Sequence, residues 1–170
     1  VGFVRKLPHG LVEAFNATLA EAVLSDFLIH VLDASQPEVL EFYETTRSVL
    51  AELGADSRRT LIVFNKIDAI TDADSIPALR DRFPDAVFIS VKSGAGLPEL
   101  IADCRKLLDA DSRFLFLTVY AVRMSALAIG ELVRQQFADL GGTVECGELG
   151  VREEARGLVL PTAIFARWSR

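Results

Sequence analysis

Two hydrophobic patterns follow one another along this chain of 170 residues. Between Leu11 and Leu24 the apolar residues Leu11, Val12, Phe15, Leu19, Ala22 and Val23 recur at helical spacing, which predicts a first helix. The run Phe27 to Leu32 is short and has apolar residues on both alternating faces. Closed by Asp33-Ala34-Ser35, it predicts a central parallel strand. Pro37 opens a second helix through Leu40, Tyr43, Val49, Leu50 and Leu53, and Gly54 stops it. The pattern then predicts a strand over Leu61–Phe64, a short helix over Ile76–Phe83, a strand over Val87–Ile89 and a helix over Leu97–Leu108. Strands alternating with helices imply a parallel sheet with helices on both faces.

Around Asp109-Ala110-Asp111-Ser112-Arg113 the alternation stops. Phe114–Val122 reads as a strand, and Ser125–Leu140 as an amphipathic helix ending at Gly141-Gly142. Two further strand-like runs, Thr143–Gly147 and Gly157–Phe165, complete a β-α-β-β unit. The expected organisation is a larger α/β domain over residues 1–111 and a small domain over 112–170. The small one, a sheet on one helix, would have little stability alone.

Composition narrows the class. Hydrophobic residues make up 51% and mean hydropathy is +0.31, yet no apolar run approaches the ~18 residues that span a bilayer. No basic start followed by an apolar stretch opens the chain, so a cytoplasmic protein is expected. The net charge of −6 arises in residues 1–111, while residues 112–170 are close to balanced. That distribution gives no basic footprint for DNA, and any RNA contact would have to be local. Scattered arginines such as Arg123, Arg134, Arg152, Arg156, Arg167 and Arg170 read as phosphate contacts or as solvated surface. Cys104 and Cys146 are far apart with no metal-ligand spacing, which suggests neither zinc nor a disulfide framework. His30, inside an apolar run, reads as a core or strand-edge histidine rather than a catalyst. Trp168 could anchor the tail strand or a partner.

The candidate chemistry lies at Asn65-Lys66-Ile67-Asp68, directly behind Thr60-Leu61-Ile62-Val63-Phe64. A carboxylate at Asp68 can accept two parallel hydrogen bonds from guanine N1–H and the 2-amino group, a pair that adenine does not offer. An adenine in its place would leave the acceptor unpaired, which favours discrimination. Asn65 would tie the loop and reach the O6/N7 edge, and the Lys66 stem would lie over the base. The same residue types also suit an ordinary strand-to-loop turn. A second loop, Ser90-Val91-Lys92, follows the next strand and leads into Ser93-Gly94-Ala95-Gly96. A backbone N–H at Val91 could meet guanine O6, with the Ser90 hydroxyl bracing the loop. Ligands of open α/β sheets bind at strand carboxyl ends, where both loops fall.

Several segments together resemble one family. Val1-Gly2-Phe3-Val4-Arg5-Lys6-Leu7-Pro8-His9, followed by Leu11-Val12-Glu13-Ala14-Phe15 and Thr18-Leu19, resembles the switch II segment of HflX-type GTPases. His30-Val31-Leu32-Asp33-Ala34-Ser35 and Asn65-Lys66-Ile67-Asp68 match as well. The likeness covers Val1 to about Asp109 and, more loosely, the tail. It implies a translation-factor-class GTPase that binds the large ribosomal subunit and splits or rescues ribosomes. It also implies GTP or GDP with Mg²⁺ as cofactors; a monomer without a membrane span is expected. Carried over residue by residue, Gly2 is the switch glycine that senses the γ-phosphate. Asn65, Lys66, Asp68, Ser90, Val91 and Lys92 hold guanine. Phe3 stands where many GTPases place a water-orienting glutamine, or else plugs the switch helix.

The departures define the expected piece. The 170 residues contain no G-x-x-x-x-G-K-[ST], no switch I and no Asp-Thr before Val1. The expectation is an incomplete P-loop GTPase three-layer parallel sheet with the β-α-β-β appendage, the carboxyl-terminal part of a longer protein. The ligands for Mg²⁺ would lie mostly upstream, no catalytic or metal residue is assigned here, and this piece alone is expected to be hydrolytically inactive and poorly soluble. The alternative reading is a nucleotide-free pseudo-GTPase interaction module.

Overall fold

The computed structural model describes residues 25–119, 125–152 and 159–170. The expected first helix and Gly2 lie outside the described residues, as does Phe3. The chain forms two compact units, one ending at Phe88 and the other beginning at Ile89. The change of pattern near residue 111 falls inside the second unit.

The first unit is a parallel sheet in the order β1-β2-β3, with β1 at Phe27–Asp33, β2 at Arg59–Asn65 and β3 at Val87–Phe88. Helix α1 (Val39–Glu52) connects the first pair and α2 (Ser75–Arg82) the second. This crossover arrangement is what parallel pairing requires. Among the described residues β2, not β1, is the strand flanked on both sides, and its Val63 and Phe64 are fully buried. The run read as a central strand, β1, has β2 as its strand neighbour among the described residues, and its Val31 is 52% exposed.

Helix α1 ends where the pattern requires, because Gly54 adopts φ +73° and its N–H donates to the Ala51 carbonyl at 3.0 Å. A left-handed residue there satisfies a last-turn carbonyl without a Cβ penalty. Leu32, Val39, Phe64, Leu79, Phe83 and Phe88 make the core of this unit. Phe64 stacks on Phe88 at 5.1 Å and tilts against Phe83 at 5.3 Å, while Tyr43 meets Phe83 edge-on at 4.9 Å. Burying each such side chain contributes about 1.5–3 kcal/mol. The aromatic cluster therefore fixes where β2 ends, and with it the loop that follows.

The second unit holds helix α3 (Leu97–Leu107) and an antiparallel sheet ordered β4-β6-β5. Strand β4 is Phe114–Val119, β5 is Thr143–Arg152 and β6 is Val159–Ser169, with helix α4 (Ala126–Phe137) between β4 and β5. The β-α-β-β order expected of the tail is present, and β5 and β6 run longer than the sequence pattern suggested. Ser125 caps α4, its side chain accepting from the Ala128 N–H at 3.2 Å. Ile129, Val133 and Phe137 repeat on one face of α4 and bury against Leu115, Ala166 and Trp168. Ile101 of α3 belongs to the same core. Trp168 anchors the tail strand: it is almost fully buried, lies 5.1 Å from Phe137, and its Nε1–H donates to the Gly141 carbonyl at 2.8 Å.

Candidate functional site

Strand β2 delivers Asn65 at its carboxyl end, in register with Asp33 of β1. The Asn65 carbonyl accepts from the Ala34 N–H at 2.8 Å, so the two strand ends are tied together. Lys66 then turns left-handed, with φ 65° and ψ 34°, the one non-glycine residue with positive φ among the described residues. An unbranched side chain reaches that region only at some cost, unless neighbours hold it. Here the Asn65 Oδ1 accepts the Lys66 N–H at 2.7 Å. A short 3-10 turn, Ile67–Ala69, follows, closed by the Ala69 N–H on the Lys66 carbonyl at 2.9 Å. Ile67 packs on the core while Asp68 is exposed. The apolar residue anchors the loop, and the acidic residue beside it is exposed.

The Lys66 ammonium lies 2.6 Å from Asp33 Oδ2. Asp33 Oδ1 in turn accepts from the Ser35 hydroxyl at 2.6 Å and from the Ser35 N–H at 3.1 Å. Partial burial pushes the Asp33 carboxyl upward, but the donors from Lys66 and Ser35 outweigh it and hold the group below its ordinary value. Sequence reasoning gave Asp33 and Ser35 no role. The usable signal was Asp33-Ala34-Ser35 at a strand end beside the strand that carries Asn65.

The loop after Ile89 belongs to the second unit. Ser90 is fully buried, its hydroxyl accepts the Ser93 N–H at 3.1 Å, and its own N–H donates to the Ala95 carbonyl at 2.9 Å. The Gly94 N–H returns to the Ser90 carbonyl at 2.8 Å. Gly94 and Gly96 take φ values of 85° and 74°, so the tight turn into α3 uses residues without a Cβ. Val91 is half-buried and Lys92 exposed at the tip of this brace. Among the described residues no group of three or more His, Cys, Asp or Glu side chains could hold a metal ion. No described helix is long and apolar enough to cross a membrane.

Comparison with known proteins bears on these loops. The chain is 46% identical over 117 residues to a protein named GTPase HflX from Akkermansia muciniphila, covering 66% of this chain and 27% of that protein. It is 48% identical over 100 residues to the GTPase HflX of Treponema denticola, with 59% and 26% covered. The Escherichia coli K12 GTPase HflX is 44% identical over 101 residues, with 59% and 24% covered. The match thus spans about a quarter of the length of these relatives. No protein-family model matches the chain. Among solved structures, a SAM-dependent methyltransferase from Agrobacterium tumefaciens superposes with a TM-score of 0.46 at 18% identity, covering 96% of this chain and 63% of that one.

Proposed function

Because the chain is a homologue of the HflX GTPases over 59–66% of its length, we propose that Asn65–Asp68 reads guanine as part of a GTPase of that type. The observation that carries the reading is the loop behind β2. Ile67 is half-buried and packs against the core, Lys66 is held left-handed, and Asp68 is exposed beside them. A carboxylate presented from a braced turn suits the two donors on the guanine Watson–Crick edge. Asn65 contributes by fixing the turn, since its Oδ1 is engaged by the Lys66 N–H. The loop Ser90-Val91-Lys92 is the second candidate contact, and its buried serine supplies the brace that a backbone donor at Val91 needs. Gly2 is proposed as the phosphate-sensing residue on sequence resemblance. GTP or GDP is the proposed ligand, and association with the large ribosomal subunit, with ribosome splitting or rescue, is the proposed role of the whole protein.

The test is competitive binding of GDP and ADP to this chain and to Asp68→Ala. The expected outcome is a preference for GDP in the parent, reduced at least tenfold by the substitution, in line with loss of a bidentate charge-assisted contact. Equal affinity for GDP and ADP in the parent would favour the other reading, an interaction module that keeps the loop without using it.

A further inference from the structure

We propose that Asp33 is a positioning residue for the guanine-reading loop, holding Lys66 in place through its carboxylate while Ser35 holds Asp33. The inference rests on the guanine reading above and adds to it a residue on a different strand. Three observations support it.

Asp33 is the last residue of β1 and pairs in register with Asn65, so its position is set by the strand ladder rather than by a loop. Its two oxygens have separate tasks. Oδ1 takes the hydroxyl and N–H of Ser35, and Oδ2 takes the Lys66 ammonium. A carboxylate with one oxygen engaged by its own turn loses rotational freedom, so the second oxygen is presented at a fixed point. Lys66, finally, is the residue in the left-handed region, where the backbone alone gives no reason to stay. A side-chain anchor at the far end of its stem complements the Asn65 bond at its N–H.

The consequence concerns affinity and not base choice. Lys66 is 57% exposed and Asp33 25%, so the pair is of the partly solvated kind. It cannot by itself tell guanine from adenine, because it carries no group for the Watson–Crick edge. Fixing the lysine stem before ligand arrives lowers the ordering cost of binding any purine nucleotide over that stem. Asp68 sets which base is preferred, and Asp33 sets how well the loop is prepared.

The experiment compares the full chain with Asp33→Asn, Asp33→Glu, Lys66→Met and the double variant Asp33→Asn/Lys66→Met, each checked for a retained cooperative thermal transition. The first readout needs no nucleotide: acylation of lysines by an N-hydroxysuccinimide ester, followed residue by residue by mass spectrometry. An ammonium held by a carboxylate must leave it before it is modified. Asp33→Asn is therefore expected to speed Lys66 modification about threefold, the scale of a solvated ion pair, with Lys92 unchanged and Asp33→Glu restoring part of the protection. The second readout is GDP and ADP affinity. Asp33→Asn is expected to weaken both about threefold with their ratio unchanged, and to have no effect once Lys66 is Met. Unchanged Lys66 reactivity in Asp33→Asn overturns the proposal, as does an equal loss of affinity on the Lys66→Met background. Raised Lys66 reactivity together with no GDP preference in the parent leaves the ion pair standing, and removes the guanine reading and this role with it.

Discussion

Gly130 and Cys146 approach so closely that a Cβ at position 130 would lie 2.6 Å from the Cys146 Sγ and 2.9 Å from its Cβ. Helix α4 thus seats on strand β5 at a point where no side chain fits. The contact sits beside Ile129 and Val133, which carry the core of the second unit. Replacing this glycine forces the helix off the sheet or the sulfur out of its rotamer. Gly130→Ala should destabilise the second unit by about 1–3 kcal/mol, the usual range for overpacking. Trp168, the single tryptophan and almost fully buried in this core, reports the transition by its fluorescence in urea. Gly130→Ala/Cys146→Ala should recover part of the loss, because the nearer of the two blocking atoms is gone. An unchanged midpoint in the single variant would mean that α4 and β5 have room to separate at this contact without loss.

The two cysteines should differ in reactivity. Cys104 of α3 is fully buried, and burial, aided by the neighbouring Asp103 carboxylate, pushes its thiol up to about 11. At pH 8 a thiol of that kind is ionised to roughly one part in a thousand, and the thiolate is the nucleophile. Cys146 is half-buried. Iodoacetamide at pH 8 should therefore label Cys146 at least about tenfold faster than Cys104, as read by peptide mass spectrometry. Comparable rates in the folded protein would show that α3 opens far more readily than its packing on the core suggests.

How much of this could be read from the sequence depends on whether the signal was local. The alternation of apolar runs with helical periodicity places β1, α1, β2, α2, β3 and α3, because each element must bury a face of its own. Gly54 and Ser125 mark ends for reasons internal to their turns. The Asn65–Asp68 loop was legible for the same reason, since its residue types and its place behind a buried strand are adjacent in the chain. What could not be read comes from register between distant segments. The alignment of Asp33 with Asn65 depends on how β1 slides along β2, and one residue of slip would move the carboxylate to the other face. An apolar run says that a strand is covered, not which strand lies beside it, and half-exposed Val31 carried no mark of its own. The core shared by Ile101 of α3 and the tail is likewise a tertiary fact that no change of pattern near residue 111 could announce.

His30 gives the first unit a pH dependence of definite sign. It is buried in β1, its ring stacks on Tyr43 at 5.5 Å, and among the described residues its Nδ1 has no hydrogen-bond partner. The expectation of a core or strand-edge histidine is met in its burial, while that nitrogen is left unsatisfied among those residues. Burial penalises the charged ring and lowers its pKa from the ordinary 6.5. The unfolded chain then binds more protons than the folded one between the lowered value and 6.5. Stability from this group is complete above about pH 6.5 and is lost as pH falls toward the folded value. Asp33, itself held below the ordinary carboxylate range, loses its contribution only in more acidic solution, so the two windows separate. Hydrogen exchange of peptides from β1 and β2 should accelerate between about pH 7.5 and 5.5, after correction for the intrinsic rate, by the factor that the lost stability dictates. His30→Phe keeps a ring against Tyr43 and removes the ionisation, so its corrected exchange should be flat across that interval. If wild type and His30→Phe change together, the acid sensitivity of this unit arises elsewhere, and the buried imidazole costs nothing to charge.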